Sequence, residues 1–176
     1  MSKPISGRPE TDEYAEYYTG YIGKVAGTNI VAVLQQQLES TMALFARIDE
    51  TKGDYQYEPG KWTVKEVIGH IIDTERVFAY RALVIGRNDK TSLPGFDQEP
   101  WSKHANYANL RMDDIAAEFE SVRRANILLF RHLGEDAWSR EGVANNNKMT
   151  TRAAAFIIAG HTQHHLDILT SRYLRF

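Results

Sequence analysis

The 176 residues fit one domain, long enough to bury a continuous core without a disulfide or a structural ion to hold it, so a metal here is expected to be functional rather than structural. Hydrophobic content of 43% with 25% charged residues is ordinary globular composition, and a net charge of −2 with 21 basic residues spread among 23 acids argues against a nucleic-acid partner. The absence of cysteine excludes disulfides, thiol redox sensing and thiolate metal ligation. Met1 to Thr11 has no apolar run resembling a signal peptide, and no segment approaches the roughly 20 apolar residues of a membrane span. A cytoplasmic protein without a membrane partner is the resulting expectation.

In chain order, Tyr14, Tyr17, Tyr18, Tyr21 and Ile22 recur at helical spacing. Gly20, Gly23 and Gly27 interrupt them, so residues 1–27 read as an irregular or short helical lead-in lying across the bundle surface. Thr28-Asn29 then caps a first long helix from Ile30 to Ile48, with Ile30, Val33, Leu34, Leu38, Met42 and Phe45 on its buried stripe. Tyr57-Glu58-Pro59-Gly60 makes a turn. Thr63-Val64-Lys65-Glu66 is a capping box that opens a second helix reaching Ile85.

Gly86 to Leu110 carries Pro94-Gly95 and Pro100 with little periodicity, and is long for a connection inside a compact domain. In a four-helix bundle such a crossover lets the helices it joins run parallel, which is the arrangement expected for helices two and three. The third helix spans Arg111 to Leu133, with Ile115, Phe119, Val122 and Leu129 on one stripe, Asp113-Asp114 near its positive end and Gly134 as its stop. After Asn145-Asn146-Asn147-Lys148, Thr150 or Thr151 caps a fourth helix reaching Leu174. Nothing in the pattern competes as β structure, so the fold class is all-α.

Of six histidines, His161 and His165 lie roughly 40° and about 6 Å apart on one helix, where two imidazoles can reach one ion. The stripe Ala154, Ile157, Ile158, Ile168 and Leu169 centres between them and leaves His164 at its edge. Two rings facing a core need partners, and a cation satisfies one nitrogen per ring. His70 is the third candidate: it lies about 10 Å from the start of helix two and His165 about 13 Å from the end of helix four, depths that match best for antiparallel helices and tolerably for parallel ones. Three neutral imidazoles suit zinc, nickel, copper or iron(II) over magnesium or calcium, and three protein ligands leave a position open. The bland reading stands beside this, because a His-x-x-x-His pair is common by chance. His104 and His132 read as loop and surface residues.

The segments Tyr57-Glu58-Pro59-Gly60-Lys61-Trp62-Thr63-Val64-Lys65-Glu66-Val67-Ile68-Gly69-His70, then Asp73 and Glu75-Arg76, Leu93-Pro94-Gly95-Phe96-Asp97 through Trp101, and Gly160-His161-Thr162-Gln163-His164-His165 together resemble the DinB/YfiT-like superfamily, over Ile30 to Leu174. The resemblance implies a four-helix bundle with a long crossover between helices two and three, and a metal held by His70, His161 and His165. It is unrelated to the like-named polymerase. It further implies a metal, zinc or nickel above others, that activates a nucleophile: a low-molecular-weight thiol in a thiol S-transferase, a bound hydroxide in a metal-dependent hydrolase. A non-enzymatic metal- or ligand-binding stress protein is the third reading. A small-molecule substrate and a homodimer are expected on the same ground. Asp73 and Asp167 are candidates to orient a ligand histidine, though a solvated position on the helix suits each as well, and Trp62, Arg81, Phe96 and Trp101 are candidates for the pocket mouth, with packing the alternative for both tryptophans.

Overall fold

The computed structural model describes residues 7–174. Four long helices dominate: α2 (Ile30–Phe45), α4 (Val64–Gly86), α6 (Met112–Arg131) and α7 (Thr151–Ile168), with a short α1 (Thr19–Gly23) before them, α3 (Glu50–Gly53) and α5 (Gln98–His104) between them, and a π-helical turn over Leu169–Tyr173 after them. Three of the four long helices start at a side chain that accepts from an orphan amide, and at α6 the Met112 amide is met instead by Glu50 of α3 (3.0 Å). Asn29 Oδ1 accepts from the Ala32 amide, and Thr150 Oγ1 from that of Ala153. At α4 the Thr63 hydroxyl accepts from the Glu66 amide while Glu66 accepts from that of Thr63, a complete capping box.

Side-chain contacts fix the directions. Tyr107 packs on Gly69, Glu118 pairs with Arg76, and Leu133 reaches Gly86, so α4 and α6 advance together and are parallel, as expected of helices joined by a crossover. Gly86 at the end of α4 meets Thr151 at the start of α7, while His70 near the start of α4 meets His161 near the end of α7; these two are antiparallel. Phe45 on Phe119 and Gln37 on Arg123 set α2 antiparallel to α6. The core between them is a continuous cluster of Ile, Leu, Val, Phe and Ala, with Ile68, Ile71, Ile72, Ile115, Phe119 and Phe156 closed to solvent.

Three features depart from the sequence expectation. The crossover is ordered by α5 and by a 3₁₀ turn, Tyr107–Asn109, rather than by irregular chain. The first long helix stops at Phe45, and Ile48 is buried beyond it. The third is a β-hairpin where no strand was expected: β1 (Glu141–Ala144) pairs antiparallel with β2 (Asn147–Thr150), and Leu93 of the crossover bridges to Ala144. Its two-residue loop, Asn145-Asn146, has positive φ at both positions, 52° and 59°, which is the hairpin turn whose twist matches the strands and which asparagine tolerates. Four-residue strands are too short to show a period, so the loop asparagines were the only signal.

A buried polar cluster crosses the bundle. The Arg123 guanidinium, with 0% exposure, donates to both oxygens of Glu75 (2.7 and 2.8 Å), to Gln37 Oε1 (2.8 Å) and to Thr162 Oγ1 (3.0 Å). Asn126 also donates to Glu75, and Gln37 donates to the Ala159 carbonyl. Residues from α2, α4, α6 and α7 are thereby tied at one level, directly beside His161.

Candidate metal centre

His70 projects from the second turn of α4, His161 and His165 from the last turns of α7. Their Nε2 atoms converge: His70 to His161 is 3.0 Å and His165 to His161 is 3.1 Å, and one ligand nitrogen from each ring lies within 4.8 Å of the others. His70 and His161 are buried and His165 half-buried. Burial pushes His70 down to about 4 and His165 to about 3, with neighbouring histidines adding to the effect, and it holds His161 far below its ordinary range. All three rings are neutral at pH 7 and carry free lone pairs.

The donor set fits a first-row divalent cation. Nitrogens at the usual 2.0–2.1 Å from zinc stand about 3.3 Å apart in a tetrahedron and about 2.9 Å apart at right angles, and the two observed separations fall between these values. No carboxylate belongs to the set, so a cation there keeps its full charge, a condition that favours an anionic nucleophile.

Two glycines precede ligand histidines and admit close neighbours there. A Cβ at Gly160 would stand 2.0 Å from the Tyr21 carbonyl oxygen, so the lead-in backbone lies directly on α7 one residue before His161. A Cβ at Gly69 would stand 2.2 Å from the Tyr107 ring, one residue before His70. These close approaches give physical content to the two Gly-His pairs of the sequence.

The lead-in thus does more than cross the surface. Tyr21 sets its ring edge-on to His161 (5.4 Å) and to His164 (5.3 Å), and with Tyr17 and Tyr18 it walls a cavity of about 390 Å³. His70, Thr74, Phe78 and Arg81 line the cavity from one stripe of α4, His161 and Ile157 from α7. Phe96 lines it from the crossover, and Asn145 and Asn147 from the hairpin.

The remaining candidates separate cleanly. Asp73 accepts from the Tyr107 hydroxyl (3.2 Å) and pairs with Arg76, and Asp167 pairs with Lys24 (2.7 Å) and accepts from Gln163 (2.8 Å). Neither meets a ligand histidine; the group near the outer nitrogen of His70 is Thr74, whose Oγ1 is 3.5 Å from Nδ1. Arg81 lines the cavity. Trp62 packs against His70, ring centres 5.0 Å apart, and Trp101 is half exposed and leans on Phe96. His164 sits beside the trio without joining it, and His104 and His132 are exposed. Tyr21 and Thr74 were not singled out as site residues from the sequence. For Tyr21 the signal was present in the tyrosine spacing of the lead-in, whereas Thr74 is visible only as the position one turn after His70.

Among known proteins, the chain is 23% identical over 111 residues to an inferred metal-dependent hydrolase of Oceanobacillus iheyensis, an alignment covering 62% of this chain and 64% of that one. Less than two thirds of that relative's length is therefore matched. Its fold is similar to YfiT of Bacillus subtilis, described as a probable metal-dependent hydrolase with an unusual four-helix bundle topology, at a TM-score of 0.65 and 17% identity over 94% of this chain and 91% of that one. It is also similar to the mycothiol-dependent maleylpyruvate isomerase, at a TM-score of 0.66 and 14% identity over 81% of this chain and 60% of the other. At these identities the likenesses speak to the fold, and no helix among the described residues is long and apolar enough to cross a membrane. The DinB superfamily profile matches residues 34–169, from α2 to the end of α7 and across all three converging histidines, and the chain belongs to the DinB superfamily.

Proposed function

We propose that the chain is a metal-dependent transferase in which His70, His161 and His165 hold one divalent cation, zinc or nickel, and in which a low-molecular-weight thiol attacks an electrophilic small molecule. The observation that carries this reading is the convergence of three buried, neutral imidazoles on one point at the wall of a cavity. A cation held by these three nitrogens would lower the pKa of a thiol bound beside them, so that a thiolate could form near neutral pH. The chain's own residues do the rest. The rings stay unprotonated and compete for the cation across the physiological range, because burial disfavours their charged forms. Thr74 stands where it can orient His70, and the tyrosine wall shields the reacting groups from bulk water. The thiol comes from a co-substrate, since the chain has no cysteine.

A second reading, hydrolysis by a bound water at the same position, is favoured by the names of the Oceanobacillus and Bacillus relatives. The test is metal analysis of untagged protein followed by turnover of chlorodinitrobenzene with and without added thiol. One cation per chain, lost in His161→Ala with helical content retained, and turnover that requires thiol support transfer. Turnover without thiol assigns hydrolysis. Metal uptake with no turnover of any electrophile makes the protein a metal-binding one, and protein that takes up no zinc or nickel overturns the reading.

A further inference from the structure

Three cationic side chains of the described residues are less than a tenth exposed: Lys65, Arg81 and Arg123. Lys65 meets Glu50 and Asp54, each at 2.8 Å, and Arg123 meets Glu75 through two bonds. Arg81 is 2% exposed and has no carboxylate partner among the described residues. Its Nη2 donates to the Pro94 carbonyl (2.9 Å), the Tyr18 hydroxyl lies beside it, and its plane faces the Phe78 and Phe96 rings at 4.8 and 6.0 Å. A guanidinium does not deprotonate in proteins, and a buried charge without a counter-charge is costly. This one lines the same cavity as His70 and His161. Asp97, the acid on that cavity's wall, instead caps α5 by accepting from the Glu99 amide (3.1 Å).

We infer that Arg81 is the anion-binding subsite of the cavity and that the substrate carries an oxyanion, a carboxylate or a phosphate, at the end remote from its reactive group. The inference rests on the proposed metal centre for where that reactive group sits. Arg81 follows His70 by eleven residues, about 16 Å of helix rise, and side chains tilt toward the helix N-terminus, so the guanidinium leans back toward the histidines. A ligand that touches both ends is elongated. Its middle runs past Phe78, Tyr18 and Tyr21, which suits an aromatic or unsaturated body, and about 390 Å³ holds a molecule of that size. A guanidinium offers a planar fork to either oxyanion.

The test is calorimetric titration of the metal-loaded and the metal-free protein with 4-phenylbutyrate, its neutral amide and phenyl phosphate. Wild-type protein should bind the acid at least tenfold more tightly than the amide, in both metal states. Arg81→Gln should bring the two to parity with metal content unchanged, and Arg81→Lys should keep part of the preference. Should Arg81→Gln fail to fold, the wild-type comparison and Arg81→Lys decide. Tighter binding of phenyl phosphate than of the acid, lost in Arg81→Gln, supports the subsite and assigns it to phosphates. Equal binding of acid and amide by wild type overturns the inference, as does a preference that survives Arg81→Gln. A preference that disappears with the metal and survives Arg81→Gln places the anion on the cation, which overturns the subsite and leaves the proposed function intact. Protein that takes up no metal yet keeps an Arg81-dependent preference does the reverse.

Discussion

Replacing Arg123 by Met removes a guanidinium with no solvent contact and leaves the Glu75 carboxylate, 1% exposed, with Asn126 as its remaining donor. Breaking a buried pair from one side typically costs about 3–5 kcal/mol, because the surviving charge stays desolvated. The same change strips a donor from Gln37 and from Thr162, and an unsatisfied buried group costs about 1–3 kcal/mol. The single substitution should therefore sit at the upper end of the first range, roughly 4–5 kcal/mol, against a total stability of about 5–15 kcal/mol for a domain. With a urea m-value of about 2 kcal/mol/M, the midpoint falls by about 2 M. The double variant Arg123→Met, Glu75→Leu removes both charges and should recover at least half of that loss, so that it is far less destabilised than the sum of the two single variants. Urea denaturation of wild type, both single variants and the double variant measures it. A midpoint shift below about 0.5 M for Arg123→Met, or a double variant no better than the sum of the singles, refutes the argument that the pair is a desolvated, mutually dependent unit.

Gly160→Ala places a methyl group against the Tyr21 carbonyl, a backbone atom that cannot rotate aside, and should cost about 1–3 kcal/mol by thermal or chemical denaturation. Asn146→Val puts a β-branched residue at a φ of 59° and should lower stability by about 1–2 kcal/mol, while Asn146→Gly stays within about 0.5 kcal/mol of wild type, both by urea melts. The metal-free protein should lose stability as pH falls from about 6.5 toward 4: burial depresses the folded-state values of His70 and His165, the unfolded chain therefore binds more protons in that window, and stability rises with pH across it. Urea midpoints of chelator-treated protein at pH 7, 6 and 5 should decline in that order, and a flat series contradicts the buried-imidazole description.

The helices were legible because their signals are local. The Thr63–Glu66 box, the Asn29 cap and the stripes of Ile and Leu each operate within one or two turns, and the structure places those helices within a few residues of the expected bounds. The pairing of His161 with His165 follows from helix geometry alone, whereas the meeting of His70 with them depends on the direction of α4 against α7, which depth along the helices leaves open and the resemblance supplies. The Arg123 cluster was invisible for a physical reason. A charged residue in an amphipathic helix defaults to the solvent side, and only the coincidence of Glu75, Gln37 and Thr162 at one level makes an interior arginine tolerable. Asp73 and Asp167 show the limit of reading from neighbours in sequence: each carries two readings there, and the structure gives them partners arriving from elsewhere, Tyr107 and Lys24.

The tyrosine wall has a consequence for how this scaffold diversifies. The three histidines and the helices that carry them fall within residues 34–169, while Tyr17, Tyr18 and Tyr21 belong to the stretch ahead of that span. One side of the cavity wall is thus written in a separable piece of the polypeptide, while Phe78, Arg81 and Phe96 come with the span that carries the histidines. A graft that exchanges only the lead-in ahead of Asn29 can reshape that side of the wall and leave the helices carrying the imidazoles intact, provided the newcomer again lays bare backbone over Gly160.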